Sequence, residues 1–326
     1  MYKKVCGHLG VTYPDTGEKM KKITVIGAGF VGSSITYSLM LIEAADEIAL
    51  VDINETAVRA EVADIRPGLS CISPSRVYQG TWADTADSDI IIMTAGVSRR
   101  PEESRLDLIG RNAAIARNVA RQIKENNSKA VVIVVSNPVD IVTRIMAEEL
   151  SETSGRVFGT GCLLDSARFA SVLADFLNIS EKSVRAFVAG EHGAGQVLLW
   201  SSVQIDGHPL TDWLALYDKS LSSEDKNRIA KDIADMGAHI IAGKGRTHYG
   251  IAGCTAYIVN EMKCGHEVVL PLTRPLAGEF GFSGVCASLP RVLTKDGASA
   301  GRTDTLTSSE IEQIRQYLCS AAALKV

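Results

Sequence analysis

The chain has 326 residues, 46% of them hydrophobic and 22% charged, which predicts an ordinary globular protein of about two domains. Its net charge of −4 and its pI near 5.9 argue against nucleic acids and anionic membrane surfaces as partners, because both attract cationic proteins. Seven scattered cysteines are typical of a reduced, cytoplasmic chain, and no apolar run is long enough to cross a membrane.

Short apolar runs alternate with helical patterns through the first half of the chain. The predicted strands are 23–26, 48–51, 90–93 and 131–135. Each is a continuous run of mostly β-branched residues, which indicates parallel strands covered on both faces. A helix is predicted from 31 to 42, and a second one carries apolar residues at helical spacing between Leu108 and Ile123. This pattern predicts a doubly wound α/β sheet.

The pattern changes after about residue 163. A helix is predicted from 165 to 177, followed by strand-like stretches and by a long helix that contains Ile229 and Ile240. The strand-like stretches are 183–188, 197–205 and 267–272. Asp206-Gly207 is a hairpin-turn signal, and Thr307 with Glu310 forms a capping box that opens the last helix. The second half therefore reads as α+β.

Residues 27–32, Gly-Ala-Gly-Phe-Val-Gly, follow the first strand and open the first helix. The first glycine permits a tight turn, the second lets a pyrophosphate approach the backbone, and the third allows close packing. The helix amino terminus offers N–H donors to the phosphates. Asp52 ends the second strand, where a carboxylate accepts hydrogen bonds from ribose hydroxyls and repels a 2′-phosphate. NAD is therefore favoured over NADP, although a glycine turn and a capping aspartate also occur for structural reasons.

Further motifs follow in a fixed order: LVDIN, TAGVSRRPEESRLDL, VSNPVD, GTGCLLDSARF, GEHG and GKGRTHYG. Together with the glycine turn they make the chain resemble the lactate/malate dehydrogenase family from about Lys22 to the final helix. The resemblance implies a Rossmann dinucleotide-binding domain over 22–163 and a substrate domain over 164–326. Residues 1–21 would form an N-terminal arm, or a stretch ahead of the native start. The cofactor residues that it implies are Gly27, Gly29, Phe30, Val31, Gly32, Asp52, Ala95, Gly96, Asn112, Val135 and Asn137.

The same resemblance implies the catalytic groups. His192 is expected to be the acid/base, since an imidazole titrates near neutral pH, and Asp165 to orient it. Arg168 is expected to bind the substrate carboxylate through two hydrogen bonds, and Arg105, in a mobile loop over 96–105, to polarise the carbonyl. The remaining implied substrate residues are Arg99, Asn137 and Thr247. Taken singly, each has a structural alternative, such as a turn histidine, a helix cap or an intrahelical ion pair.

Arg99 stands where lactate-specific members of the family resemble one another in having glutamine and malate-specific ones have arginine. A second carboxylate in a closed pocket needs a fixed cation, so the sequence predicts L-malate and oxaloacetate as substrates. L-Lactate dehydrogenase, or a dehydrogenase of a bulkier 2-hydroxy acid, is the alternative. The stretches 200–203 and 207–210 look lactate-like, and Thr247 matches both the lactate members and the lactate-like malate enzymes. Ala194-Gly195 replaces the usual Asp-Ser or Asp-Thr.

Two other classes of protein remain as alternatives. An NAD-dependent glycosidase shares the architecture but needs a metal-binding Cys/His set, and no histidine is well spaced from Cys162. A non-catalytic NAD-binding protein would have no need to keep His192, Asp165, Arg105 and Arg168 together. We therefore predict an enzyme without a metal, forming a homodimer or a homotetramer by family resemblance.

Overall fold

The structure is a computed structural model that describes residues 20–98, 102, 104–126, 129–151 and 155–324, with only the backbone of Ser70 and Arg105. The strands in these residues are β1 (Met20–Ile26), β2 (Ala45–Val51), β3 (Arg76–Gln79), β4 (Ile90–Met93), β5 (Val131–Val134), β6 (Val157–Gly159), β7 (Val184–Arg185), β8 (Val188–Gly190), β9 (Gln196–Leu198), β10 (Gln204–Ile205), β11 (His208–Pro209), β12 (Val268–Ala277), β13 (Ser283–Thr294) and β14 (Gly297–Ala298). The helices are α1 (Phe30–Leu41), α2 (Glu55–Ile72), α3 (Arg105–Asn126), α4 (Val139–Glu149), α5 (Leu163–Leu177), α6 (Leu210–Leu216), α7 (Ser223–Lys244), α8 (Tyr249–Cys264) and α9 (Ser308–Ala323).

The first half of the large sheet is parallel and runs in the order β3-β2-β1-β4-β5-β6. Ile23 on the central strand β1 lies beside Ile48 on β2 and Ile90 on β4. Residues on one face of the sheet, such as Ile92, pack with α1 and α2, whereas those on the other face, such as Ile91, pack with α3 and α4. Because both faces are covered, continuous apolar strands belong here, and the doubly wound prediction is confirmed.

The second half continues the same sheet with antiparallel strands. Thr273 on β12 pairs with Gly159 on β6, and β13, β8 and β9 follow in that order. A separate small sheet contains β7, β10 and β11. Helices α5 and α7 enclose one apolar cluster of this half, and α9 packs over a second cluster. The second half is therefore α+β, as predicted.

Strands β3, β6 and β13 were not predicted, and β12 extends beyond the predicted stretch. Pro271 on β12 lies opposite Pro290 on β13, and proline normally argues against a strand because it lacks the ladder donor. Arg291 follows on β13 with its side chain fully buried, where it donates to the backbone oxygens of Leu272 and Ser299. The long β12–β13 ladder thus depends on pairing partners that a strand pattern does not reveal.

Local turn signals, in contrast, were read correctly. Asp206 and Gly207 both have positive φ angles and join β10 to β11 in a hairpin. Thr307 and Glu310 form the capping box that begins α9. The predicted N-terminal arm lies mostly outside the described residues, and its last two residues belong to β1.

The parallel strands bring the candidate residues together because their carboxyl ends meet at one edge of the sheet. The turn after β1 carries Gly27, the turn after β2 carries Asp52, and β4 is followed by Ala95. Asn137 follows β5, immediately before α4. The candidate site is assembled at this edge.

Candidate active site

The glycine-rich turn has the geometry that its sequence predicts. Gly27 has a φ of +109°, and a Cβ there would lie 2.7 Å from the backbone N of Ala95. A Cβ on Gly32 would lie 1.8 Å from the Gly27 carbonyl oxygen, so α1 can approach the turn only without a side chain. A Cβ on Gly29 would meet no atom within 4 Å. The open space at Gly29, which caps α1 without any side-chain hydrogen bond, is suited to a pyrophosphate.

Asp52 is held by two backbone donors. The N–H of Ala28 donates to its Oδ2 at 2.7 Å, and the N–H of Asn54 donates to its Oδ1 at 2.9 Å. Asn54, not Asp52, caps helix α2. The carboxylate is thereby fixed against the glycine turn, where it can accept from a ribose and repel a 2′-phosphate.

Asn112 on α3 joins the segments that follow β4 and β5. Its side chain is buried, with Oδ1 accepting from Val97 N at 2.9 Å and Nδ2 donating to the Asn137 carbonyl oxygen at 2.7 Å. Ser136 donates to the Ala95 carbonyl oxygen at 2.7 Å. Because the Asn112 amide is engaged by backbone groups of both segments, it positions them relative to each other. The side chain of Asn137 itself is exposed.

His192 lies in the turn between β8 and β9 and is bonded to Asp165 near the start of α5. The distance from His192 Nδ1 to Asp165 Oδ2 is 2.6 Å, and Nδ1 is the donor because an ionised carboxylate only accepts. Arg168, one helical turn further along α5, donates from Nη1 to Asp165 Oδ1 at 3.2 Å. The side chain of Asp165 is 5% exposed and that of His192 is 25% exposed. The carboxylate is therefore enclosed, while the imidazole still reaches the cleft with Nε2.

Serine side chains fix the distance between α5 and the strands that carry the histidine turn. Ser166 accepts a hydrogen bond from Val188 N on β8 and donates to the Cys162 carbonyl oxygen, both at 2.8 Å. Ser288 on β13 accepts from Cys162 N at 3.0 Å. These bonds place Asp165 directly beside the turn that presents His192.

Asp140 was not among the predicted site residues. Its Oδ2 accepts a hydrogen bond from the backbone N of His192 at 3.0 Å, across 52 residues of sequence. Asp140 is buried, with 5% of the residue exposed. Burial raises the pKa of Asp140 to about 6. The hydrogen bonds from the Thr273 side chain and from the backbone of His192 lower this pKa but do not outweigh burial. The only sequence signal for this residue was its place at the end of the VSNPVD motif, three residues after Asn137.

The pKa of His192 is raised above its ordinary value. Burial alone would lower this pKa, but the hydrogen bond and the negative charge of Asp165 outweigh burial, and Asp140 adds to them. Arg168 opposes the rise. A histidine with a raised pKa keeps its proton to higher pH, which is the property required of a proton donor near neutrality.

The remaining predicted site residues lie in different places. Arg99 and the side chain of Arg105 are outside the described residues; the backbone of Arg105 begins α3, so the predicted loop ends one residue earlier than expected. Thr247 lies between α7 and α8. Phe30 is exposed at the start of α1, with the Arg246 guanidinium 3.6 Å from its ring centre. This contact was not predicted.

Val31 and Val135 belong to the apolar packing on one face of the parallel sheet. Val31 on α1 packs against the apolar cluster that contains Val135, a buried residue directly after β5. Gly96 is exposed beside the Asn112 amide, which a Cβ would approach to 3.4 Å. These three residues shape the backbone around the cleft rather than offering side-chain polar groups.

Acid/base chemistry beside a dinucleotide turn is what the described groups can perform. Within those residues, no group of three or more His, Cys, Asp or Glu side chains has an arrangement that could hold a metal ion. Nor does any helix of that part of the chain combine the length and apolar character needed to cross a bilayer. Fold and site together define a nicotinamide-dependent dehydrogenase.

Comparison with known proteins identifies the family. The sequence model described as the lactate/malate dehydrogenase NAD-binding domain matches residues 21–159, and that of the alpha/beta C-terminal domain matches 162–325. The chain therefore belongs to the lactate/malate dehydrogenase family, with NAD as its cofactor, and it is an NAD-dependent 2-hydroxy acid dehydrogenase.

Individual relatives share about a third of its residues over nearly their whole length. An L-lactate dehydrogenase of Acetivibrio thermocellus is 33% identical over 297 residues, 91% of this chain and 94% of the relative. One of Lactococcus lactis subsp. cremoris is 35% identical over 306 residues, 94% of this chain and 96% of the relative. The crystal structure of a minor L-lactate dehydrogenase from Enterococcus mundtii has a TM-score of 0.89 at 30% identity, covering 94% of this chain and 98% of that one.

These comparisons overturn the prediction of malate as the substrate. The relatives and the solved structure quoted above are all lactate dehydrogenases, and nothing among them favours a malate enzyme. The prediction depended on Arg99 alone. A single loop residue was therefore given more weight than the two lactate-like stretches, 200–203 and 207–210. The same comparisons favour the dehydrogenase over the glycosidase alternative.

Proposed function

We propose that this protein interconverts an L-2-hydroxy monocarboxylic acid of the L-lactate type and its 2-oxo acid, with NAD as the cofactor. The observation that carries the proposal is the pair of hydrogen bonds that join Asp165 to Arg168 and to His192. The names of the relatives support the lactate type. One cation for one substrate carboxylate and one proton donor for one carbonyl oxygen are the minimum that such a reaction needs.

Each catalytic residue has a distinct role in this proposal. Arg168 binds the substrate carboxylate with the N–H groups that do not contact Asp165. His192, with Nδ1 bonded to Asp165, gives a proton from Nε2 to the substrate oxygen in reduction and removes it in oxidation. Asp165 stabilises the imidazolium form and fixes the ring orientation. Asn137, Arg105 and Thr247 complete the proposed substrate contacts.

NAD fits the residues that are present. When bound, it exchanges a hydride with the substrate carbon. The open space at Gly29 admits the pyrophosphate to the amino terminus of α1, and Asp52 lies next to the glycine turn to accept from a ribose. Asn112 joins the segments that follow β4 and β5, at the same edge of the sheet as the glycine turn.

Steady-state kinetics of the purified protein tests the proposal. With NADH we expect kcat/KM for pyruvate to exceed that for oxaloacetate by at least about tenfold, since only a monocarboxylate leaves no buried charge unmatched. NADH should be used in preference to NADPH because of Asp52. In the reverse direction L-lactate, and not D-lactate, should reduce NAD. Absence of NADH-dependent reduction of any 2-oxo acid would contradict the proposal.

We further propose that the chain forms a cytoplasmic homodimer or homotetramer. Exposed apolar side chains on α1, α7 and α8 support self-association, because such groups together disfavour a solvated monomer. They are Tyr37, Leu41, Ile241, Tyr249 and Tyr257. Light scattering after size-exclusion chromatography measures the state directly, and a mass of 34.9 kDa at micromolar concentration would contradict the proposal.

A further inference from the structure

A cavity of about 270 Å³ adjoins the catalytic histidine. It lies between the first turns of α3, helix α4, strand β13 and helix α9, and His192 is part of its lining. A cavity of about 150 Å³ with aliphatic walls is enough to hold a benzene ring. The space beside His192 therefore far exceeds what the methyl group of lactate requires.

The walls of this cavity are mainly apolar. They include Ile109, Ile141, Val285, Ala321 and Leu324. The charged groups at its margin have partners: Arg144 Nε donates to Glu148 at 2.8 Å, Asp140 accepts from His192 N, and Glu191 accepts from Gly195 N. Apolar walls with two carboxylates at the margin favour an uncharged group over a second carboxylate.

The cavity owes part of its wall to the departure from the family sequence at Ala194-Gly195. A Cβ on Gly195 would lie 3.0 Å from Tyr317 Cδ2 and 3.0 Å from Glu191 Oε2. Because this position has no side chain, the Tyr317 ring lies against the histidine turn, and its hydroxyl donates to the Cys286 carbonyl oxygen at 3.1 Å. Helix α9 is thereby held as the outer wall of the cavity.

The positions of Arg168 and His192 indicate how a bound substrate is oriented. Asp165 contacts both Arg168 and His192, and of these two only His192 lines the cavity. A 2-oxo acid with its carboxylate at Arg168 and its keto oxygen at His192 spans the distance between them. Its third substituent then points away from the carboxylate, on the side of the keto carbon opposite Arg168, and the cavity that is lined by His192 but not by Arg168 is the space that can receive it.

We propose that this cavity receives the substituent on the keto carbon, and that the enzyme accepts 2-oxo acids with apolar substituents larger than methyl. Branched aliphatic and aromatic substituents are the class that it fits. The inference rests on the proposed function, because it uses the same roles of Arg168 and His192. Each buried methylene contributes about fourfold in binding, so a series of substrates reports whether the cavity is used.

The test measures kcat/KM with NADH for pyruvate, 2-oxobutyrate, 4-methyl-2-oxopentanoate and phenylpyruvate. We expect 4-methyl-2-oxopentanoate to be used at least as well as pyruvate, whereas a methyl-sized pocket would reject it by about 100-fold. Ala321→Phe fills the cavity and should lower kcat/KM for the longer substrates about tenfold or more relative to kcat/KM for pyruvate. Ala322→Phe, one position along α9 and exposed, is the matched control.

Ser320→Phe, also on the cavity wall but exposed, gives a second variant in case Ala321→Phe is unstable. Thermal unfolding of all variants shows whether they fold. The inference is overturned if pyruvate is preferred by about 100-fold, or if the wall variants change all substrates equally or not at all. That result would leave the proposed function intact. Failure to reduce any 2-oxo acid, pyruvate included, would remove the proposed function and this inference with it.

Discussion

Two glycine-rich turns carry the site, at residues 27–32 and 190–195, and each follows a buried strand. In the first turn the glycines are required by short-range contacts, such as the approach of Gly32 to the Gly27 carbonyl oxygen. In the second turn the glycines accommodate positive φ angles at Gly190 and Gly193. The functional groups there are held from a distance, by Asp165 and Asp140.

The function of the first turn therefore depends on steric contacts within one segment, and that of the second turn depends on charged partners in other segments. The first turn should tolerate changes elsewhere in the chain but not an added side chain. The second turn should tolerate small steric changes but not the loss of one charged partner. Three sets of substitutions test this difference, beginning with the one that has the largest expected effect.

Asp165→Asn should have the largest effect, because it removes the charge and the correct acceptor for His192 while preserving shape. We expect kcat/KM for 2-oxo acid reduction to fall on the order of 10²–10⁴-fold. Reduction requires protonated His192, so in the wild type it declines as pH rises through the raised pKa of that residue. In the variant the decline should move to lower pH. Asp175→Asn, exposed on the same helix, is the control.

Gly32→Ala and Gly29→Ala form a matched pair in the first turn. The Gly32 methyl group would collide with the Gly27 carbonyl, so we expect a loss of about 1–3 kcal/mol in the free energy of unfolding. Gly29→Ala meets no protein atom and should change this free energy by less than about 1 kcal/mol, yet weaken NADH binding. Chemical denaturation and fluorescence titration measure the two effects. Unchanged NADH affinity in Gly29→Ala would show that the pyrophosphate lies elsewhere.

Asp140→Asn should have the smallest effect of the three. The amide oxygen still accepts from His192 N, but the negative charge that helps to raise the pKa of His192 is gone. The pH at which reduction declines should therefore be lower than in the wild type and higher than in Asp165→Asn. Asp140→Ala, which also removes the acceptor, should lower kcat further. A pH profile identical to the wild type in Asp140→Asn would show that this carboxylate acts only through geometry.

Features that depend on one short segment could be predicted from the sequence, whereas features that depend on distant segments could not. Strands β1, β2, β4 and β5 of the parallel half were predicted because their apolar runs are continuous, and the Asp206-Gly207 hairpin because its turn residues are specific. Strand β13 was missed, since Pro290 and the buried Arg291 are acceptable there only with β12 beside them. The malate prediction was wrong because it inferred the composition of the whole substrate pocket from one residue, Arg99.

The sequence by itself determined the family, the cofactor turn and the residue types of the acid/base pair, because glycine conformations and short motifs are local properties. Only the tertiary structure decided that Asp140 supports His192 and that a large apolar cavity adjoins it. Those features depend on α4, β8, α9 and β13 meeting at one point, and no segment of the chain contains that information alone. Electrostatic partners and cavity walls are set by distances between segments, which only packing fixes.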